Sequence, residues 1–155
     1  MKEDEEVLKL IEESAKKFER INLSSGNCGQ FSLALAKKLI DKGINATIGV
    51  LHKYDSDVTD LQELACEEVP IYHVVVTIED KIFDSTGKIT TQDLVEFSIR
   101  EYRDDEPSYI KNINIEEFAL HTIINCETNW SINAETFYEF LNNIENKKHV
   151  KKLKP

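Results

Sequence analysis

The sequence predicts an α+β domain, and three patterns carry that expectation. Apolar residues recur near every 3.6 positions over residues 5–20 and 28–42, the spacing of helices that bury a face. Ala46-Thr47-Ile48-Gly49-Val50-Leu51 and Ile71–Ile78 are instead rich in β-branched residues and read as strands. After Gly87 the helical spacing returns in three segments, 91–102, 115–124 and 134–144. Strands grouped in the middle of the chain, with helices on both sides, make the fold class α+β: an N-terminal helix and a central helix packed on an antiparallel sheet, with further C-terminal helices.

The first helix places Val7, Leu8, Leu10, Ile11, Ala15 and Phe18 on one side, with Glu and Lys between them. A polar loop, Asn22-Leu23-Ser24-Ser25-Gly26-Asn27, leads to the second helix; Asn27 is a favourable N-cap, Cys28 the first helical residue and Gly43 the C-cap. Phe31, Leu33, Ala34, Leu35, Ala36, Leu39 and Ile40 form a girdle wider than a stripe, so this helix is the central, buried one. The run 55–68 has Asp55, Asp57, Asp60, Glu63, Glu67 and Glu68 and no Lys or Arg, and reads as an exposed excursion with room for one helical turn. It is not a calcium loop, because Asp60 and Cys66 stand where such a loop needs its Gly and its final Glu. Glu79 and Asp80 then close a hairpin between 71–78 and Lys81–Asp84.

The 155 residues suit one domain, 1–155, ending in a flexible basic tail at 146–155 that contains Lys147, Lys148, Lys151, Lys152 and Lys154. A net charge of −10 opposes nucleic-acid binding and is easier to reconcile with a basic or neutral protein or peptide partner. The acidic start Met1-Lys2-Glu3-Asp4-Glu5-Glu6 lacks the basic, apolar pattern of a secretory signal, and no apolar run nears the roughly 20 residues of a bilayer span. A cytoplasmic location away from membranes is the expectation. Cys28, Cys66 and Cys126 are odd in number and widely spaced, which suits free thiols rather than disulfides or a zinc knuckle; no metal and no cofactor is expected.

Chemistry is concentrated in three segments: Gly26-Asn27-Cys28-Gly29-Gln30-Phe31, Ile71-Tyr72-His73-Val74-Val75-Val76 and Ile82-Phe83-Asp84-Ser85-Thr86-Gly87. A thiol attacks as thiolate, and a helix N-terminus favours that negative charge. Gly29 leaves room for a carbonyl to approach the sulfur and the first-turn N–H groups, which are oxyanion donors, with the Asn27 and Gln30 amides as further candidates. His73 supplies an imidazole suited to proton transfer near neutral pH. A two-residue turn at 79–80 pairs Ile78 with Lys81 and Val75 with Asp84, making Asp84 the diagonal neighbour of His73 on one face; a three-residue turn would separate them. His52 and His121 are rival bases but lack a downstream Asp in a matching hairpin. Cys66 and Cys126 lack such company and read as structural or incidental.

Over residues 22–87 the chain resembles the transglutaminase-like branch of the papain-like cysteine enzymes. Cys28 opens a helix containing Leu33-Ala34-Leu35-Ala36-Lys37-Lys38-Leu39, Gly43-Ile44-Asn45-Ala46 stands where such proteins carry a Gly-Ile-Pro-Ala-like link, and Asp84-Ser85-Thr86 is similar to their Asp-x-Thr ending. The resemblance implies a papain-like core and a triad in which Cys28 attacks an amide carbonyl, His73 moves the proton and Asp84 orients the ring. It also points to Asn22, six residues before the nucleophile, where papain-type members have an oxyanion Gln. No Trp accompanies the His strand, and the interval from His73 to Asp84 is short.

The leading reading is therefore a cysteine-dependent amide-bond hydrolase or acyl transferase, a peptidase or amidase acting through a thioester. One alternative is a catalytically inactive binding or effector module of the same fold, using its acidic surface. Another is a protein-glutamine deamidase or transglutaminase, distinguished by the group attacked and by whether water or an amine accepts the acyl group.

Overall fold

Strand β2 (Ile71–Ile78) is central because its sequence supplies apolar side chains to two faces at once. In the computed structural model, which describes residues 2–19, 27–67, 69–125 and 134–153, Val74, Val76 and Ile78 enter the main core. Val75 belongs to a second cluster with Leu51, Ile82 and Leu94. Around β2 lie β1 (Thr47–His52), β3 (Lys81–Asp84), β4 (Gly87–Ile89) and β5 (Ser108–Ile113), in the order β4-β3-β2-β1-β5, with every pairing antiparallel.

Six helices among the described residues complete the α+β fold: α1 (Lys2–Phe18), α2 (Cys28–Asp41), α3 (Leu61–Cys66), α4 (Thr91–Tyr102), α5 (Ile115–Asn125) and α6 (Ala134–Leu153). Helix α2 packs on the sheet through Phe31, Leu35 and Leu39, all nearly free of solvent contact, and the Ser32 hydroxyl donates to the Val74 carbonyl at 3.1 Å. Val7, Leu10 and Ile11 of α1 and Phe137 and Leu141 of α6 close the same core. Phe137 stands edge-on to Phe18 and Phe31, with ring centroids 4.8 and 5.6 Å apart. The end of α2 follows from Gly43, whose φ of +86° permits a Schellman turn: its N–H donates to Ile40 O and that of Ile44 to Leu39 O, both at 2.9 Å.

The second cluster lies under α4. A capping box starts this helix, with Thr90 accepting from Asp93 N–H and the Asp93 carboxylate accepting from Thr90 N–H. Leu94 and Phe97, one turn apart, reach the face of the sheet that α2 does not cover.

Several sequence expectations change. The acidic excursion is not wholly exposed: Asp60 caps α3 with its side chain, and Leu61 and Leu64 of that helix are buried in the main core. Ile40, expected in the buried girdle of α2, is 40% exposed. Strands β4 and β5 have no counterpart in the sequence reading, and α6 continues to Leu153, so the backbone at 146–153 is helical where a tail was expected. No helix among the described residues is long and apolar enough to cross a membrane.

Candidate active site

The hairpin register brings two of the predicted residues together. Ile78 pairs with Lys81, Thr77 with Ile82 and Val76 with Phe83, so the turn has the even length expected at Glu79-Asp80; Glu79 has φ +56° there. His73 lies two residues before Val75, on the face opposite the main core, and Asp84 at the end of β3 reaches the same face. His73 Nε2 and Asp84 Oδ2 are 3.0 Å apart, with the imidazole 3% and the carboxylate 12% exposed.

Asp84 is itself held. Its Oδ1 accepts from the Thr86 N–H at 2.8 Å and the Thr86 hydroxyl at 2.5 Å, a local turn that leaves Oδ2 for the histidine. Burial pushes the Asp84 carboxyl up, but the His73 and Thr86 hydrogen bonds outweigh it and keep the group below the usual carboxylate range. For His73, burial pushes the pKa down; the hydrogen bonds and charges of Asp84 and Cys28 outweigh that and raise it to about 9. At neutral pH the ring is therefore protonated. Its Nδ1 is buried and completes no hydrogen bond of good geometry within the protein, while the Cys28 sulfur is the second group acting on the ring.

Cys28 is a free thiol of intermediate exposure, and it packs against the margin of the main core as the first residue of α2. The opening N–H groups of a helix have no partner within it, and Cys28 stands in the turn that carries them. Asn27 occupies the cap position with φ −113° and ψ 4°, but its side chain makes no capping hydrogen bond; the helix starts with the Phe31 N–H donating to Asn27 O at 2.9 Å. That changes the expected capping role. Gln30 is buried, and its Oε1 accepts from the Ala134 N–H at 2.8 Å, tying the start of α6 to the start of α2. Its amide is thus committed to the fold through its oxygen. Asn22 lies outside the described residues, as does Cys126 and the His121 side chain.

The rival base His52 is buried in β1, with Nδ1 2.7 Å from the Lys53 carbonyl. Burial lowers its pKa against the opposing effects of that bond and of Asp55. Cys66 is exposed at the end of α3. Among the described residues no group of three or more His, Cys, Asp or Glu is arranged to hold a metal ion.

Sequence reasoning missed the aromatic side of the site. The Phe97 ring stacks on His73 with centroids 4.6 Å apart at 26°. Tyr102 stacks on Tyr72 at 4.1 Å and 14°, and its hydroxyl donates to the Tyr72 carbonyl at 3.3 Å. The Tyr102 pKa is raised by burial first and then by the charge of Cys28, which places this ring within electrostatic reach of the sulfur. A cleft of about 450 Å³ runs between the β3–β4 turn and α4, bordered by His73, Asp84, Thr86, Phe97 and Arg100. The sequence marked 91–102 as a helix, but only the packing of α4 on β2 identified Phe97 as the neighbour of the histidine.

No family model, no curated protein and no solved structure matches this chain.

Proposed function

We propose that the protein is a cysteine-dependent amide-bond hydrolase or acyl transferase of papain-like, transglutaminase-like architecture, with Cys28, His73 and Asp84 as its triad. The observation that carries this reading is the polarity of the imidazole: Nε2 is engaged by Asp84, leaving the other nitrogen for the Cys28 sulfur. The thiolate attacks the substrate carbonyl, forming the C–S bond as the carbonyl π electrons move to oxygen. First-turn N–H groups of α2 stabilise that oxyanion. When the C–N bond breaks, protonated His73 gives its proton to the leaving amine, and the thioester remains. Neutral His73 then takes a proton from the accepting water or amine, which attacks the thioester and releases Cys28. Asp84, held by Thr86, keeps the ring in the tautomer both steps require.

Competitive labelling with iodoacetamide at neutral pH tests the proposal. Cys28 is expected to react at least about tenfold faster than Cys66 and Cys126, as an activated thiol does relative to ordinary ones. His73→Ala should remove that advantage while the protein stays folded. Equal labelling of the three thiols overturns the reading.

A further inference from the structure

We propose that helix α1 is a positioning element of this site: Asp4 clamps both strands of the β3–β4 hairpin and so holds Asp84 against His73. The two oxygens of Asp4 divide between two strands. Oδ1 accepts from Lys81 Nζ at 2.7 Å, at the start of β3, and Oδ2 from Lys88 Nζ at 3.3 Å, in β4. The Asp4 and Lys81 side chains are only 17% and 16% exposed, so this pair is better shielded than an ordinary surface ion pair. One turn further along α1, Leu8 Cδ2 lies 3.5 Å from the position a Cβ would take at Gly87, and Gly87 is the residue paired with Asp84.

The hairpin needs such support. β3 has four residues and β4 three, β4 is an outer strand of the sheet, and Gly87 turns the chain with φ +120°. Lys81 alternates with Phe83 onto the face of the main core, where Val7, Leu10 and Ile11 of α1 also pack; Asp84 points to the opposite face. Helix α1 therefore supports the hairpin from beneath while its acid engages the histidine above. The groups that face His73 directly are Asp84 from β3, Cys28 from α2 and Phe97 from α4, with Asp93, Glu96, Arg100 and Glu101 of α4 along the adjoining cleft. Asp4 acts through the hairpin.

The consequence for rate rests on the proposed triad, whereas the clamp itself can be read independently by NMR titration of the His73 imidazole in the full chain. Asp4→Asn removes a negative charge and Lys81→Met a positive one, so a through-space effect would move His73 in opposite directions in the two variants. A mechanical clamp moves both the same way: loosening Asp84 should lower the His73 midpoint by about one pH unit in each. Asp4→Glu should restore much of it. Iodoacetamide labelling of Cys28 read at about pH 8.5, between the two midpoints, should fall about threefold in Asp4→Asn and Lys81→Met, in step with the titration. Lys88→Met removes only the longer, more exposed bond and should give a smaller shift, keeping the test available if Asp4→Asn fails to fold. Midpoints that stay put while thermal stability falls, or that shift in opposite directions, overturn the clamp. Wild-type labelling without preference for Cys28 overturns the enzymatic reading alone, and the clamp is still decided by the His73 midpoints in the same samples.

Discussion

His73 couples proton chemistry to the stability of the fold. Its folded-state pKa of about 9 lies above the ordinary 6.5, so its contribution is fully present below pH 6.5 and is lost as pH rises through 9. Wild-type stability should therefore fall over that window relative to His73→Gln, by on the order of 2 kcal/mol, measured as urea midpoints across pH. Asp84 has the opposite sign: its lowered pKa gives stability present above its ordinary value of 3.8 and lost as pH falls through the lower folded value. Asp84→Asn should reduce Cys28 chemistry by about 10²–10⁴-fold through loss of the oriented, protonated ring, with helix content by circular dichroism unchanged. Replacing Thr86 by Val removes one of the two bonds on Asp84 Oδ1 and should cost about 1 kcal/mol in unfolding free energy. The partners of His73 and Asp84 were legible in the sequence, through the parity of the hairpin. Those of Asn27 and Gln30 were not, because an amide can cap, cross-link or donate equally well, and only its neighbours select among these uses.

Elements with a strong period were legible, and those whose pairing depends on distant chain were missed. Strand β2 announces itself through eight residues rich in β-branched side chains, and α4 through its helical spacing over 91–102. β4 has three residues, and β5 carries Lys111 and Asn112, the latter at φ +61°, so neither has an alternation long enough to read. The partnership of β5 with β1 is fixed by contact with Gly49: a Cβ built there would stand 2.3 Å from the Tyr109 hydroxyl oxygen. Gly49→Ala should destabilise the protein by about 1–3 kcal/mol, seen as a lower melting temperature, because the partly buried Tyr109 ring must be displaced from its place against the second cluster. The glycine ending α2 acts by conformation instead: Gly43 has open space around it, yet its φ of +86° makes Gly43→Ala cost about 1 kcal/mol.

Across the whole molecule, the excess of 29 acidic over 19 basic residues creates self-repulsion that folding intensifies. Adding salt to about 0.3 M, where screening is shorter than 10 Å, should raise the melting temperature by a few degrees in a chloride titration. The longer helices, the strands at 46–51, 71–78 and 81–84, the apolar weight of α2 and the even hairpin turn followed from the sequence, because each depends on local periodicity or backbone preference. Tertiary structure alone decided that Phe97 covers His73, that Gln30 anchors α6 and that Asp4 spans two strands of a hairpin 77 and 84 residues away. These are contacts between surfaces whose relative placement no local pattern encodes, since the same amphipathic helix can bury its face against any complementary neighbour.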